Sequence, residues 1–469
     1  MDRSSREMTR ESVYDAAHGS TNRATYQPTY QPTYQPTYQP TYQPTYQPTY
    51  QPTYQPAYQP AYQMTYQMAV RSYRAGRICL AHSIRNKSSA ALRRLASARR
   101  LSATIHAALL CIGLMATASA VAATPAFAAV TPAHPIVLPQ DTGAHAAFRT
   151  EWWYATGWLT TPDNQPLGFQ ITFFRSATGH EPADPSAFAP SQLIIAHAAL
   201  SDPALGHLTH DQRIGRQGFG LAYAKPDTTD VKLEAWKIIR ARDGHYDVEV
   251  DAGNFALHLS LMPTQAPLLQ GEHGYSRKGP RPEQASYYYS EPHLRVSGSV
   301  VRPVAAGSKS TGETAVTGAA WLDHEWSSTL LDTNAVGWDW LGANLTDGSA
   351  LMAFKVRSRD GHAVWAHAAL RNRDGQVTTF SRDQVDFIPL RTWRSPRTNT
   401  LYPVSMMVKT GALTWRLDPL MDDQELDSRQ STGAVYWEGA VRVSRDGADV
   451  GRAYLELTGY ANAIRIGKE

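Results

Sequence analysis

The chain has 469 residues, with 45 Lys+Arg against 41 Asp+Glu and two cysteines. The first 128 residues hold 13 basic and 4 acidic residues together with both cysteines, Cys79 and Cys111, and leave 32 and 37 for the rest. Residues 129–469 are therefore acidic and lack thiols. This composition excludes disulfides and cysteine nucleophiles there, and it argues against nucleic-acid binding.

Residues 25–68 are eleven tetrapeptides, most of them Thr-Tyr-Gln-Pro. Regularly spaced prolines remove backbone donors and block helices and central strands, and no apolar face larger than a tyrosine ring is available to bury. We expect residues 1–68 to be disordered or polyproline-like. Two interpretations stay open: a tyrosine-rich adhesive tail, or an unstable repeat upstream of a start at Met64 or Met68.

Residues 69–128 have the layout of a secretory signal peptide. Nine basic residues come first, an apolar run follows from about residue 105 to residue 123, and Ala126-Phe127-Ala128 precedes Ala129 as a small-x-small cleavage site. The run is rich in alanine and threonine and is a poor membrane anchor. The sequence thus predicts a periplasmic or secreted protein that begins at Ala129 and has no stable membrane span after cleavage.

Short alternating runs separated by turn residues predict an all-β fold from residue 129 onward. Asp-Gly pairs between strands, such as Asp347-Gly348 and Asp374-Gly375, indicate antiparallel hairpins, and the meanders favour barrels or sandwiches. We expect two domains, 129–329 and 330–469. The predicted strands are Glu151–Leu159, Leu167–Arg175, Gln192–Ser201, Val231–Arg240, Tyr246–Asp251, Phe255–Met262, Ser286–Val300, Ala350–Val356, Ala363–Arg371, Gln376–Phe380, Ser405–Lys409, Leu413–Asp418, Gly433–Val443 and Arg452–Gly459.

The densest chemistry lies in the stretch from Ala320 to Ser328. In an extended strand Trp321, Asp323 and Glu325 share one face, and Leu322, His324 and Trp326 share the other. Two carboxyls beside a large aromatic cost free energy if they are buried, and burial would raise a carboxyl pKa and create a proton donor. The alternative is a solvated strand end whose tryptophans belong to the core.

Further candidate pocket residues lie in four other stretches. Trp153, in Glu151-Trp152-Trp153-Tyr154, could form an aromatic wall or simply core. His197 lies among small residues and could be catalytic or a hydrogen-bonded core histidine. Tyr288, in a triple tyrosine, could line a pocket or pack between sheets. Trp338 lies in Trp338-Asp339-Trp340, and the acids Glu438 and Glu456 are weaker candidates.

The motifs of the common cofactor and metal enzymes are missing from the sequence. There is no H-E-x-x-H and no paired cysteine, so no metal is expected. Without G-x-S-x-G, G-x-G-x-x-G or a phosphate loop, the sequence supports neither a nucleophile-elbow hydrolase nor any organic cofactor.

Several of these stretches together resemble one family, the secreted lipocalin-like proteins grouped with hydroxyneurosporene synthase (carotenoid 1,2-hydratase) and AttH, also labelled "predicted secreted hydrolase". The matching stretches are Glu151–Tyr154, Ser286–Ser290, Ala320–Ser328, Gly337–Gly342, Tyr436–Gly439 and Glu456–Tyr460. The resemblance implies two lipocalin-like antiparallel β-barrel domains and a large apolar ligand enclosed by a barrel.

The resemblance also implies a chemistry for the central motif. Carotenoid hydratases protonate an isoprenoid double bond and add water to the resulting cation. On this view Asp323 is the general acid and Trp321 shields the cation, inside a barrel lumen. His324, Glu325, His197, Trp153, Tyr288 and Trp338 are then pocket residues.

Three functions remain open at this point. The first is binding, and acid-catalysed hydration, of an isoprenoid or lipid. The second is a non-enzymatic lipid-binding accessory of an ABC transporter permease, as the AttH label implies. The third, a secreted hydrolase, is supported by a label and not by residues. No cofactor is expected for any of them.

Overall fold

The computed structural model of the protein describes residues 127–464, apart from 180–185, 187–188, 304–311 and 330. The predictions for the repeat at 25–68 and for nearly all of the signal segment therefore lie outside the described residues. The described chain is almost entirely antiparallel β-structure, with short 3-10 helices at Gln140–Thr142 and Arg382–Gln384. Within these residues, no helix has the length and apolar character needed to cross a membrane.

The first sheet has thirteen strands and curls into a nearly closed barrel, as predicted. Its strands are β1 (Thr150–Thr160), β2 (Pro166–Ala177), β3 (Gln192–Asp202), β4 (His207–Arg216), β5 (Ala222–Ala224), β6 (Asp230–Leu233), β7 (Trp236–Arg240), β8 (Tyr246–Asp251), β9 (Ala256–Met262), β10 (Leu268–Leu269), β11 (Tyr275–Arg277), β12 (Ala285–Val301) and β13 (Glu313–Ser327). The order is β4-β3-β2-β1-β13-β12-β9-β8-β7-β6-β5, with β10 and β11 paired to β12. The two ends of this path approach each other where β3 and β4 meet β5 and β6.

The second sheet has ten strands and the same barrel-like form. Its strands are β14 (Ala335–Leu345), β15 (Ala350–Ser358), β16 (Ala363–Arg371), β17 (Val377–Phe380), β18 (Val385–Arg394), β19 (Leu401–Thr410), β20 (Leu413–Pro419), β21 (Glu425–Ser428), β22 (Ala434–Arg445) and β23 (Ala448–Leu457). The order is β17-β16-β15-β14-β23-β22-β20-β19-β18, with β21 paired to β22. The predicted domain boundary falls between Ser327 and Ala335, although the domain limits themselves stay a prediction.

The hairpin turns follow the sequence pattern, with one exception. Gly348 and Gly375 of two Asp-Gly pairs have φ of 88° and 87°, values that glycine adopts without strain. The predicted single strand Val231–Arg240 is wrong: it is the hairpin β6–β7. Glu234 turns the chain with a φ of 56°, which few non-glycine residues adopt, so no turn signal marked the break.

Because side chains alternate along each strand, one face of each sheet forms the apolar interior of its barrel and the other face points outward. Leu322 of β13 packs in the first interior, with residues such as Phe169 and Leu200, and Leu341 of β14 packs in the second. The other faces of the two sheets meet in a third cluster, which we call the seam. Its buried members are Tyr154, Trp158, Tyr288 and Trp321 from the first sheet, and Trp340, Ala350, Met352, Phe354, Val356, Ala440 and Tyr454 from the second.

A buried charge network ties β1 to β2 and to the chain before them. Glu151 is fully buried and accepts hydrogen bonds from Arg175 Nε and from the rings of His145 and His324, each at 2.8 Å. The other guanidinium nitrogens of Arg175 donate to Gln192 Oε1 and to backbone carbonyls at 2.7–3.0 Å. These partners outweigh burial, so the pKa of Glu151 lies well below its usual value.

We expect Arg175→Met to lower the free energy of unfolding by about 3–5 kcal/mol, because it leaves a carboxylate and two carbonyls buried without their cation. Chemical denaturation would measure the loss. The matched control is Arg429→Met, since Arg429 pairs with Asp427 at the surface; that change should cost under about 1 kcal/mol. Similar losses in both variants would contradict a structural role for the buried network.

Candidate acid site between the two barrels

Asp323 lies in the seam and is held by three hydrogen-bond donors. Ser290 Oγ and Trp321 Nε1 donate to Oδ1, and Tyr288 OH donates to Oδ2, each at 2.6 Å. Register explains the contact with Ser290, because that residue pairs with Asp323 across β12 and β13. The side chain is 3% exposed, so the carboxyl is removed from bulk water.

Burial, with a smaller contribution from the neighbouring Glu325 carboxylate, raises the pKa of Asp323 to about 7. The three donors act in the opposite direction because they stabilise the charged form. A carboxyl that titrates near neutrality can give up and regain a proton at working pH, which is the property of a general acid.

The expectation of a carboxyl in a barrel lumen is wrong. The first lumen is filled by apolar side chains, including Leu322 on the opposite face of β13. Asp323 points the other way, towards the second sheet. Trp340 Nε1 of β14 donates to Tyr288 OH at 3.1 Å, so the second barrel reaches the group that holds Asp323.

Glu325 occupies the next position on the seam face of β13. It accepts a hydrogen bond from Ser286 Oγ at 2.5 Å and forms an ion pair with Lys278 Nζ at 3.1 Å. Lys278 also lies over the rings of Tyr288 and Phe354, at 4.4 and 4.3 Å from their centroids. The loop before β12 therefore supplies a cation to the seam, and Glu325 has a partner that Asp323 lacks.

The second sheet contributes two further acids. Glu456 of β23 and Glu438 of β22 are cross-strand partners; Glu438 is buried and Glu456 is half-buried. Trp338 Nε1 donates to Glu456 Oε2 at 2.9 Å. Burial, with repulsion from Asp323 and Glu325, raises the pKa of Glu456 to about 7. Burial and the charge of Glu456 raise the pKa of Glu438 well above its usual value.

Several buried polar atoms in this part of the seam have no hydrogen-bond partner among the described residues. They are Tyr154 OH, Thr156 Oγ1, Gln170 Oε1, Glu438 Oε1 and Tyr454 OH. Buried polar groups without partners are costly and uncommon. Their concentration in one region indicates a place where a ligand or water supplies the missing bonds.

A cavity of about 450 Å³ opens along the seam. Its lining includes Thr156 and Trp158 of β1, Trp321 of β13 and Tyr454 of β23. Asp323 is not among the lining residues, but Trp321 connects the cavity to it through the Nε1 hydrogen bond. The volume lies in the range of small-molecule sites, and such sites are frequent at domain interfaces.

The structure brings together five of the eight sequence-predicted site residues. Asp323, Trp321, Glu325, Tyr288 and Trp338 all lie in the seam. Trp153 and His324 lie on the opposite faces of their strands, where their rings stack at 4.7 Å. His197 faces the second sheet but is satisfied by Tyr436 OH and Ser431 Oγ, both at 2.9 Å.

One group of side chains could hold a metal ion. His145, Glu151 and His324 offer ligand atoms within 4.8 Å of one another, and the described residues contain no other such group of three or more. However, the two imidazoles already bond to Glu151 Oε1, and Arg175 holds the other oxygen. Burial lowers the pKa of His324 to about 4, so that ring is neutral and donates to Glu151. The geometry is that of a satisfied hydrogen-bond network.

Comparison with known proteins agrees with the fold and with the sequence motifs. A family model described as AttH-like matches residues 129–460. The chain belongs to the AttH-like family. A second model, described as a PT disordered repeat, matches residues 20–67. No match is found among curated proteins.

Two solved structures are similar in fold to this AttH-like chain. A crystal structure of a protein assigned to AttH from Nitrosomonas europaea is 56% identical, with a TM-score of 0.66 over 71% of this chain and 100% of the other. Kievitone hydratase from Nectria haematococca is 14% identical, with a TM-score of 0.52 over 72% and 97% of the two chains. The second likeness concerns the fold alone.

Asp323 should make the free energy of unfolding of this AttH-like protein depend on pH. A carboxyl whose pKa is raised by folding stabilises the fold at low pH, and this contribution is lost as the pH rises from its usual value to about 7. We expect the free energy of unfolding of the wild type, relative to Asp323→Asn, to fall by about 2–3 kcal/mol between pH 5 and pH 8. Denaturation of both proteins at the two pH values measures the difference.

The control for this measurement is Asp374→Asn, in an exposed turn, whose difference from the wild type should stay constant. If the Asp323→Asn difference also stays constant, Asp323 does not titrate near neutrality.

Proposed function

We propose that this AttH-like protein binds a hydrophobic molecule of the isoprenoid or lipid class in the seam, and that Asp323 is the general acid for hydration of a carbon–carbon double bond. One observation carries the proposal: a buried carboxyl with a pKa of about 7 lies among aromatic rings, next to a cavity of ligand size. At 14% identity the kievitone hydratase likeness supports the fold, so the chemistry is argued from the site.

The proposed reaction needs three events that the seam can supply. Protonated Asp323 gives its proton to one alkene carbon, and the π electrons form the new C–H bond. The cation left on the other carbon is stabilised by the face of Trp321, which lines the cavity and is in edge-to-face contact with Trp340 at 6.4 Å. Water then forms the C–O bond, and the Asp323 carboxylate takes the proton that the water releases.

The ligand meets Trp321 before it meets Asp323, because only Trp321 lines the cavity. The proposal therefore requires the indole to move aside from its hydrogen bond with Oδ1 when substrate enters. This movement would leave Ser290 as the remaining donor to Oδ1 and open one side of that oxygen to the substrate.

A second function, a non-enzymatic lipid carrier associated with an ABC transporter permease, is favoured by a different observation. The carboxyl oxygens of Asp323 are already occupied by three donors, as in a purely structural site. We include in both proposals the periplasmic or secreted location expected from the leader, since an exported carrier or enzyme would meet lipids there.

Asp323→Asn separates the two functions. Apolar molecules extracted from the purified protein are identified by mass spectrometry and returned to it in heavy-oxygen water. If the protein is a hydratase, the product carries the heavy oxygen, and Asp323→Asn lowers turnover at least about a hundredfold while ligand affinity stays within about threefold.

The matched control is Glu291→Gln, a buried carboxyl of raised pKa that bonds to Tyr246 OH outside the seam. Its turnover should equal that of the wild type. Binding without any heavy-oxygen product would favour the carrier function instead.

Trp321→Phe tests whether the indole positions the proton of Asp323. Removal of the Nε1 donor takes away a bond that favours the carboxylate, so the pKa of Asp323 should rise further. Since hydration needs the protonated acid, the limb of the pH–rate profile that falls near pH 7 in the wild type should move to higher pH. A limb that stays in place would show that Trp321 does not tune Asp323.

A further inference from the structure

Two arginines meet at the mouth of the seam cavity. Arg442 of β22 and Arg452 of β23 are directly opposite each other in the sheet, and both line the cavity. Like charges in this position repel. Arg452 is paired with Asp449 at 2.6 Å, whereas Arg442 is exposed and has no ion pair within the described part of the chain. The mouth therefore keeps a net positive charge.

Both guanidinium groups lie near one aromatic ring. They are 5.9 and 5.3 Å from the centroid of Trp158, which itself lines the cavity. The indole nitrogen of Trp158 donates to Ala453 O at 3.0 Å, so the ring is fixed in place. The aromatic wall and the two cations thus form one continuous surface from the mouth inward.

The inner part of the cavity is apolar with two free hydroxyls. Trp321 closes it, and the hydroxyls of Thr156 and Tyr454, each residue 1% exposed, have no hydrogen-bond partner among the described residues. Ser201 lies near Tyr454; its hydroxyl donates to Gln424, and its oxygen keeps a lone pair that can accept from the Tyr454 hydroxyl when no ligand is bound. The cavity thus offers cations outside, aromatic surface along its wall and unsatisfied hydroxyls inside.

We propose that the cavity binds an anionic amphiphile, with its carboxylate at the two arginines and its apolar body along the two tryptophans. This inference rests on the proposed function and narrows its substrate class from any hydrophobic molecule to an acid. It also sets the orientation of the ligand. The anion stays at the mouth, and the apolar end, with any double bond, points towards Trp321 and Asp323.

The test uses three probes with a twelve-carbon chain and different head-group charge: dodecanoate, dodecanol and dodecyltrimethylammonium. Titration calorimetry on the full protein, below the concentrations at which the probes form micelles, gives the affinities. We expect dodecanoate to bind about three- to tenfold more tightly than dodecanol, the cation to bind most weakly, and added salt to reduce the difference. Equal affinities, or a preference for the cation, would overturn the proposal.

Arg442→Gln should reduce dodecanoate affinity about three- to fivefold and leave dodecanol unchanged. The control Arg445→Gln removes a charge from the same strand outside the cavity lining, and it should change neither affinity. An equal loss for both probes in Arg442→Gln, or the same effect from Arg445→Gln, would overturn the proposal.

Ala319→Trp tests the location. Ala319 is exposed and lines the cavity, so an indole there should block entry and abolish binding of dodecanoate and dodecanol with little cost to folding. Undiminished binding would place the ligand elsewhere. These affinities are measured independently of turnover by Asp323. The proposal of an anionic ligand can therefore be contradicted while hydration by Asp323 is confirmed, and hydration can be contradicted while the preference for an anion is confirmed.

Discussion

The alternation of side chains along β13 is the constraint on which the rest of the molecule depends. A strand that is buried on both faces must present side chains suited to a different environment on each face. Leu322 closes the core of the first barrel, while Asp323, one residue later, faces the second barrel. A shift of one residue in register would exchange these faces, placing the carboxyl in an apolar core and leucine in the seam. The hydrogen bonds from Ser290 and Tyr288 are available only in the observed register.

The seam gathers more negative charge than its cations neutralise. Asp323, Glu325 and Glu438 are buried there and Glu456 is half-buried, and Lys278 pairs closely with Glu325 alone. Four carboxylates could not all stay ionised in a medium of low polarity, so some of them hold protons near neutral pH. The interface between the two barrels therefore contains carboxyl groups that are protonated near neutral pH. An interface made only for adhesion would be more stable with apolar side chains in these positions.

The sequence predicts the local features of this structure better than the site. Alternation correctly assigned the two faces of Trp321–Trp326, and the Asp-Gly pairs marked hairpins at Gly348 and Gly375. The prediction that Asp323 lies in a barrel lumen is wrong because period-two alternation shows that a strand face is buried but does not show what covers that face. Glu438 and Glu456 were noticed only as weak candidates, since they lie more than a hundred residues from Asp323 and their approach is set by barrel-on-barrel packing, which no short-range pattern encodes.

Dense packing of both lumens explains why a barrel protein would carry its site outside them. Trp153 and Trp236 fill the first interior, and Trp415 and Trp437 fill the second, all nearly or fully buried. Interiors of this kind are rigid and hold the strands that carry Asp323 and Glu456 in fixed register. The faces left over are those that meet in the seam. The cavity there lies outside both cores. A site built in this way combines a rigidly held acid with a cavity outside the cores, whereas a lumen site would lose core packing to gain volume.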